Sequence, residues 1–306
     1  MTIRTATEQD IPAIVELLKL SLGESLMPKS EALWRWKHID NPFGKSTVLL
    51  AFENDVLIGV RAFMRWEWKH ENKIYKAVRA VDTATHPQHQ GKGIFKKLTL
   101  QLVEQCRIEG VDFIFNTPNK SSKPGYLKMG WMSNGRMKLY IKPILIAGTK
   151  KSDFDASYLL GKNGIKLTEQ LNCLEPSFIK TSISEQFLQW RYGTNPNIRY
   201  YSFSDKQESP TYLLIFRLKA GRLGVEFRIC DIFQTNSTHK NDFKKHLLQV
   251  IHDSGARIVS SATNTNLLPT LVGSVGPEIT TLPLSFDHNF LTFNFWKPSL
   301  GDMEVF

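Results

Sequence analysis

The chain carries one short motif twice, about half of its length apart. Trp36-Lys37-His38-x-x-Asn41-Pro42 matches Trp190-Arg191-Tyr192-x-x-Asn195-Pro196, and Ile141-Lys142-Pro143 matches Trp296-Lys297-Pro298 at almost the same spacing. Two matches at one spacing indicate a duplication more strongly than a single short match does. A repeat constrains the fold, because each copy must be a unit of similar structure. The sequence therefore predicts two related domains in one chain.

Length and composition agree with this division. The 306 residues are enough for two domains that each bury a core. Hydrophobic residues make up 42% and charged residues 22% of the chain, as in an ordinary globular protein. No apolar run approaches the roughly 20 residues that cross a bilayer, so no membrane span is expected. Met1–Asp10 lacks the pattern of an export signal, so we expect a cytoplasmic protein.

The cysteines give no sign of a disulfide framework or a metal site. Cys106, Cys173 and Cys230 are odd in number and far apart. They form no Cys-x-x-Cys pair and no metal-ligand spacing with the eight histidines. We therefore expect reduced, buried thiols and no bound metal.

The net charge of +10 lies almost wholly in residues 1–150. The basic residues there are scattered and do not form a polybasic arm. Attraction of a polyanionic small molecule explains this charge as well as attraction of a nucleic acid does. No basic helix or interleaved aromatic motif supports the second interpretation, so no nucleic-acid partner is expected.

Helix and strand signals alternate in both halves. The first half predicts helices at Ile11–Leu18, Glu31–His38, Gly91–Gly110 and Tyr126–Met129, and strands at 46–53, 56–68, 77–85, 111–116 and 135–142. The second half predicts a hairpin at 211–233, a helix at Asp242–Asp253 and a strand at Arg257–Ser261. This order predicts an α/β (α+β) fold in which each domain has a mixed, mostly antiparallel sheet flanked by helices.

A glycine-rich turn joins the third strand to the long helix of the first half. The strand ends at Pro87, Gly91 and Gly93 follow, and the helix begins at once. Glycines let a backbone approach a ligand closely, and the start of a helix presents unpaired N–H groups that bind phosphate. The turn matches neither a Walker loop nor a dinucleotide fingerprint. An anion-binding loop and an ordinary tight turn both remain open.

Four motifs resemble the GNAT acetyltransferase superfamily. They are Gln88-x-x-Gly91-x-Gly93 after His86-Pro87, then Asn119, then Tyr126-x-Lys128-x-Gly130-Trp131, and the opening Ile3-Arg4-x-Ala6-Thr7-x-x-Asp10. They occur in the order typical of that family, over residues 1–143. The chain departs from the common pattern at Gln90, where many members have Arg, and at Phe95, where they have a small residue. Backbone N–H groups hold the phosphates in the family, so the departures affect local packing more than the anion contact.

The resemblance implies that acetyl-CoA is the acyl donor and that an amine attacks its thioester directly in a ternary complex. A backbone N–H near Thr83–Thr85 would hold the thioester carbonyl. The cofactor-binding residues it implies are Thr83, Ala84, Thr85, Gln88, His89, Gln90, Gly91, Lys92, Gly93, Ile94, Phe95, Asn119 and Tyr126.

Two residues are candidates for proton transfer. Tyr126 takes the position of the family's general acid, although a tyrosine here can also simply pack the short helix on the sheet. Asp82 is the candidate base, because a carboxylate among apolar residues can have a raised pKa. It can equally be paired with Arg79 or Lys76. Glu67 and His86 are weaker candidates for the base, and the tryptophans are expected in the core.

The second half lacks the glycine turn, because no glycine lies between Asp231 and Asp242. The resemblance and the repeat together imply a catalytic acyl-CoA-binding domain at 1–147, a linker or first helix at 148–170 and a degenerate GNAT-like domain at 171–306. The expected function is acetyl transfer to a primary amine of a small molecule or amino sugar. An aminoacyl transferase of the FemX type that uses aminoacyl-tRNA, and a non-catalytic acyl-CoA sensor, are the alternatives. The sequence leaves the oligomeric state open.

Overall fold

The computed structural model describes residues 1–24, 28–146, 148, 178–205, 210–267 and 270–303. They group into two compact units that are not continuous in sequence. Unit 1 comprises Met1–Gly135, Asn195–Asn197 and Glu278–Phe295, and unit 2 comprises Arg136–Thr194, Ile198–Pro277 and Trp296–Phe306. Apart from residue 148, the predicted linker at 148–170 lies outside the described residues, as does Cys173. No helix in the described ranges is long and apolar enough to cross a membrane.

The helices and strands alternate along both halves of the chain. The strands are β1 Thr2–Thr5, β2 Thr47–Glu53, β3 Val56–His70, β4 Lys73–Thr85, β5 Phe113–Asn116, β6 Met132–Arg136, β7 Leu139–Pro143, β8 Lys180–Thr181, β9 Tyr201–Ser204, β10 Tyr212–Gly221, β11 Gly224–Gln234, β12 Ile258–Ser261, β13 Leu271–Gly273 and β14 Glu278–Pro283. The α-helices are α1 Ile11–Leu22, α2 Glu31–His38, α3 Ile94–Ile108, α4 Lys123–Lys128, α5 Glu185–Leu188, α6 Lys240–Asp253 and α7 Leu300–Met303. The predicted α/β class, with mixed sheets flanked by helices, is confirmed.

Unit 1 is built on a sheet in the order β1-β2-β3-β4-β5-β14-β6. Its pairs are antiparallel except β4 with β5, which run parallel because α3 crosses over between them. One face packs on α3 and α4, with Leu98, Leu102 and Tyr126 in the core. The other face packs on α1 and α2. The sheet is therefore covered on both sides.

Local contacts explain where helices α1, α2 and α3 begin. The backbone N–H of Thr7 donates to the Asp10 carboxylate at 2.7 Å just before α1, and the Ser30 hydroxyl accepts from the N–H of Leu33 at 3.1 Å in α2. The first turn of α3 lies very close to β3, since a Cβ on Gly59 would stand 2.7 Å from Cγ2 of Ile94. Glycine at 59 lets α3 begin directly on the sheet.

Unit 2 has the same sequence of elements around a sheet in the order β13-β7-β12-β11-β10-β9. Three antiparallel strands, β9 to β11, are followed by α6 and by β12, which is parallel to β11. Phe243 and Leu247 of α6 pack on Phe216 and Phe227 of the sheet. Each unit also has one register shift in its central hairpin, at Arg61/Ala62 in unit 1 and at Ile215/Phe216 in unit 2. The repeated motif also makes similar contacts in the two units.

The last strand of the first half differs from the prediction. The predicted strand at 135–142 is two strands, β6 and β7, and β7 pairs with β12 in the sheet of unit 2. In unit 1, the place beside β5 is taken by β14 from the other end of the chain. The compact units therefore change at Arg136, whereas the predicted division falls after residue 147. Local patterns give the position of a strand but carry no information about which strand pairs with it.

Other differences are confined to the ends of elements. Helix α3 begins at Ile94 rather than Gly91, because both glycines of the turn have positive φ. Helix α4 begins at Lys123, three residues before the predicted start at Tyr126. Cys106 and Cys230 are free and buried, as expected.

Candidate active site

The turn between β4 and α3 is open to solvent and shaped by its glycines. Gly91 and Gly93 have φ of +77° and +76°, and a Cβ on either would meet nothing within 4 Å. The constraint at these positions is therefore the backbone conformation, which side chains other than glycine rarely adopt. Gly93 is the N-cap of α3, whose first turn leaves N–H groups without a partner inside the helix. The result is an exposed cluster of N–H groups at the positive end of a 15-residue helix.

The polar residues of this turn make short-range contacts. Gln88 and His89 lie in a 3₁₀ turn at Pro87–His89, and the His86 ring accepts from the N–H of Gln88 at 3.3 Å. Lys92 and His89 lie 3.8 and 3.3 Å from the Glu53 carboxylate, which offsets part of the charge of Lys92. Ile94 is buried in the core, so only its backbone can meet a ligand.

The pairing between the parallel strands β4 and β5 ends before β4 reaches this turn. Their pairing covers Ala77 with Phe113, Val78 with Ile114 and Arg79 with Phe115. Beyond Arg79, β4 continues for six more residues to Thr85, paired on its other edge to β3. The predicted residues Thr83, Ala84 and Thr85 belong to this extension. An extended ligand can lie along an edge of this kind and use its backbone groups.

Asn119 stands at the end of the loop that follows β5. Its side-chain oxygen accepts from the N–H of Ser122 at 2.8 Å, and its own N–H donates to the Ser122 hydroxyl at 3.2 Å. These two bonds fix the loop before α4. Asn119 is exposed and follows β5 by three residues.

Tyr126 of α4 is buried and holds one strong contact. Its relative exposure is 2%, and its hydroxyl accepts a hydrogen bond from Nη2 of Arg61 at 2.6 Å. The ring meets Phe95 edge-on, with centroids 5.4 Å apart, and Trp131 at 5.3 Å. The structure thus brings together two predicted residues, Tyr126 and Phe95, with Arg61, which no sequence motif marks. The only local signal is that Arg61 interrupts the apolar first part of the strand, residues 56–64.

Asp82 lies at the β-bulge of β4. The register places Arg61 opposite Thr83 and Ala62 opposite Val81, so Asp82 is the extra residue, and its φ is +40°. Its carboxylate accepts from Nζ of Lys37 at 2.8 Å and from Nε2 of His38 at 3.0 Å. Lys37 and His38 come from α2, whereas the partners considered from the sequence, Arg79 and Lys76, lie on β4 itself.

The charges around Asp82 set its pKa. Burial favours the protonated form, but the Lys37 ammonium and the bond from His38 outweigh it and hold the pKa well below its usual range. The expectation of a raised pKa is therefore wrong. Burial lowers the pKa of His38, so the ring is neutral at neutral pH. A carboxylate only accepts, so Nε2 of His38 carries the hydrogen and Nδ1 accepts from the Ser46 hydroxyl at 2.8 Å.

Lys37 and His38 belong to the repeated motif, and the second copy makes a similar contact. In unit 2, the Tyr192 hydroxyl donates to the carboxylate of Asp231 on β11, and buried Arg191 donates to the Tyr200 hydroxyl at 2.8 Å. Burial and the nearby carboxylate of Asp302 raise the pKa of Asp231 well above its usual value. The motif thus places polar side chains against an aspartate at or beside a bulge in both units. The pKa of the two aspartates differs in direction because burial and Asp302 dominate at Asp231, whereas burial is outweighed by Lys37 and His38 at Asp82.

A small cleft opens beside Asp82 on the α1 and α2 face of the sheet. Val15, Leu18, Leu33 and Trp34 form its apolar wall, and Lys37 and Asp82 its polar end. Tyr126 packs on the opposite face with α3. Trp34, Trp36, Trp66 and Trp68 are buried, as expected for core residues. No group of three or more His, Cys, Asp or Glu side chains in the described part of the chain could hold a metal ion.

A family model and several solved structures are similar to this chain. Residues 2–133 match the family model of the acetyltransferase (GNAT) domain. The structure is similar to a GCN5-related N-acetyltransferase from Anabaena variabilis ATCC 29413, at 15% identity and a TM-score of 0.68, covering 92% of this chain and 72% of that one. It is also similar to an Enterococcus faecalis V583 protein of unknown function described as a probable N-acyltransferase (12%, TM-score 0.66, 93% and 73% covered). No curated protein sequence is significantly similar to the chain.

A third solved structure leads to the same class. It is a GCN5-related N-acetyltransferase from Kribbella flavida, at 12% identity and a TM-score of 0.60, covering 93% of this chain and 71% of that one. Identities this low show a shared fold and no more. Together with the family match and the strand order, they define a GNAT-type acetyltransferase fold. Residues 2–133 are thus similar to the GNAT domain family.

Proposed function

We propose that the protein is an acyl-CoA-dependent N-acyltransferase that moves an acetyl group from acetyl-CoA to a primary amine of a small molecule or amino sugar. The observation that carries this proposal is that β4 runs on without β5 from Arg79 to Thr85 and leads into the glycine turn. One edge of β4 and one helix start are then exposed together. A ligand with a phosphate end and an extended, amide-containing arm fits both features.

The residues fit such a donor. N–H groups from Gly91 to Ile94 would hold its pyrophosphate, and Gln88, His89, Gln90, Lys92 and Phe95 surround that position. Thr83 to Thr85 and Asn119 flank the gap in which the arm would lie. Acetyl-CoA supplies an acyl group on a thiolate leaving group. The two glycines fit this assignment, because without a Cβ the backbone of the turn can approach a ligand closely.

Tyr126 is the proposed general acid. The phenol is buried, and its oxygen already accepts from Arg61, so its own hydrogen is available to a departing thiolate. Phe95 and Trp131 hold the ring in place.

Asp82 is the proposed base. Because its pKa is low, it acts as an ionised carboxylate. An ionised carboxylate at the bulge can accept a hydrogen bond from the attacking amine and stabilise the positive charge that develops on nitrogen. It holds a proton only briefly, so the proton passes on to water.

The second unit is proposed to be a degenerate domain of the same fold. Between the end of β11 at Gln234 and the start of α6 at Lys240 there is no glycine, and the N-cap is His239. The backbone there lacks the two positive-φ glycines that open the turn of unit 1. One acyl-CoA site per chain follows. The predicted cytoplasmic location is retained as part of the proposal.

Release of free thiol from acetyl-CoA, measured over a panel of amines and amino sugars, tests this function. Turnover is expected with at least one small primary amine, and Tyr126→Phe is expected to lower kcat by about 100-fold. Titration with tRNA is the companion measurement. Binding of tRNA without binding of acetyl-CoA would contradict the proposal and favour an aminoacyl transferase. Binding of acetyl-CoA without turnover on any amine would favour a sensor.

A further inference from the structure

Arg61 is a buried cation with too few partners. Its relative exposure is 0%, and within the described part of the chain its side chain makes one hydrogen bond, from Nη2 to the Tyr126 hydroxyl. Nε and Nη1 are buried and have no hydrogen-bond partner among the described residues. None of the ion pairs found in the described ranges includes Arg61. A buried guanidinium without a carboxylate is costly to keep in a folded protein.

Three aromatic rings compensate for part of that cost. The guanidinium carbon lies 5.0 Å from the ring centroid of Phe63, 5.5 Å from that of Phe95 and 5.4 Å from that of Tyr126. Cation–π contacts of this kind hold the charge in place but leave two N–H groups unsatisfied. An apolar side chain of similar length would suit such a site better for stability. The presence of an arginine at position 61 is therefore explained more readily by its effect on Tyr126, its hydrogen-bond partner.

The chemistry of arginine determines the direction of the bond to Tyr126. A guanidinium has donors and no acceptor, so the phenolic oxygen must be the acceptor. The phenolic hydrogen then cannot be directed at Arg61 and is free for another acceptor. The same positive charge stabilises any negative charge that appears on the phenolic oxygen.

We infer that Arg61 is a positioning residue that makes Tyr126 a hydrogen-bond donor and stabilises its phenolate during acyl transfer. The inference rests on the proposed function. As the bond between the amine nitrogen and the acyl carbon forms, the carbon–sulfur bond breaks and its electron pair stays on sulfur. Tyr126 gives its phenolic proton to that sulfur. The phenolate beside Arg61 regains a proton from water, which has taken the one lost by the amine.

Arg61→Met tests this role, because methionine fills similar space without charge. We expect kcat to fall at least tenfold, the KM for acetyl-CoA to change less than threefold, and the melting temperature to stay equal or rise. Arg65→Met is the matched control on the same strand, where the arginine instead pairs with Glu109. Its kcat is expected to match that of the wild type.

The Tyr126→Phe background separates positioning from a structural role. If Arg61 acts through the phenol, adding Arg61→Met to Tyr126→Phe should lower kcat less than twofold. A further tenfold loss in that background, or a clearly lower melting temperature for Arg61→Met alone, would overturn the inference. So would an unchanged kcat in an otherwise active enzyme, and the proposed function would then stand without it. A wild-type protein that turns over no amine would overturn both.

Discussion

The buried pair of Lys37 and Asp82 allows a sharp prediction about stability. Lys37 is 3% exposed and donates twice to a carboxylate that is 12% exposed. Removing one partner of a buried pair costs about 3 to 5 kcal/mol, because the other charge is left without compensation. Asp82 keeps some contact with water and a bond from His38, so we expect Lys37→Met to lower the free energy of unfolding by about 3 kcal/mol, the low end of that range.

The pH dependence gives a second readout of the same variant. In the wild type, the lowered pKa of Asp82 stabilises the fold at any pH above about 4, which is the pKa of an aspartate in an unfolded chain. This stability is lost only as the pH falls below that value. Without Lys37, burial dominates and the pKa of Asp82 rises above the unfolded value. Stability of the variant should then increase from pH 7 to pH 5, whereas this group leaves the wild type unchanged over that range.

Urea unfolding at pH 7 and pH 5 measures both effects. Lys45→Met is the matched control, because Lys45 pairs with Glu8 at the surface, where the two side chains are 66% and 48% exposed, and should lose less than about 1 kcal/mol. Lys37→Met/Asp82→Asn should recover much of the loss, since asparagine tolerates the positive φ at 82 and carries no charge. Equal losses for Lys37→Met and Lys45→Met, or no recovery at pH 5, would refute the reasoning.

Three further predictions concern the thiols, the second unit and the exchanged strands. Burial raises the pKa of Cys106 to about 12, so this thiol should stay unmodified by a thiol reagent at pH 8 until the protein unfolds, as peptide mapping would show. The raised pKa of Asp231 contributes stability at acid pH that is lost as the pH rises. In urea unfolding, the free energy of unfolding of Asp231→Asn, compared with that of the wild type, should therefore increase by more than about 1 kcal/mol from pH 5 to pH 9. A fragment of residues 1–147 lacks β14 from the middle of its sheet and should show no cooperative thermal transition, and a cooperative one would contradict the strand exchange.

Much of the fold was accessible from local patterns. The capping residues Thr7 and Ser30, the hairpin turn at Asn54-Asp55 and the glycines at 91 and 93 all act within a few residues, so they predict where elements begin and end. The exchange of β7 and β14 was not accessible. Both are short strands, and the partner of a short strand is decided by the whole sheet.

The candidate site shows the same limit. The glycine turn and Tyr126 are recognised by short motifs, but the environment of Asp82 depends on residues from another element. Its position mid-strand among apolar residues indicates burial, which by itself raises the pKa. Lys37 reverses that effect from 45 positions away, and no local spacing announces it. Arg61 was missed for the same reason. Its role depends on its contact with the Tyr126 hydroxyl, which local sequence patterns do not show.

The central claim is that the turn between β4 and α3 binds acyl-CoA through its backbone. Calorimetric titration of acetyl-CoA into the wild type, Gly93→Ala and Gly110→Ala tests it most directly. Gly110 has φ of +68°, close to that of Gly93, but lies at the other end of α3. The two substitutions therefore strain the backbone to a similar extent. The account predicts micromolar binding to the wild type and Gly110→Ala and at least tenfold weaker binding to Gly93→Ala. No binding to the wild type, or equal affinities for Gly93→Ala and Gly110→Ala, would contradict it.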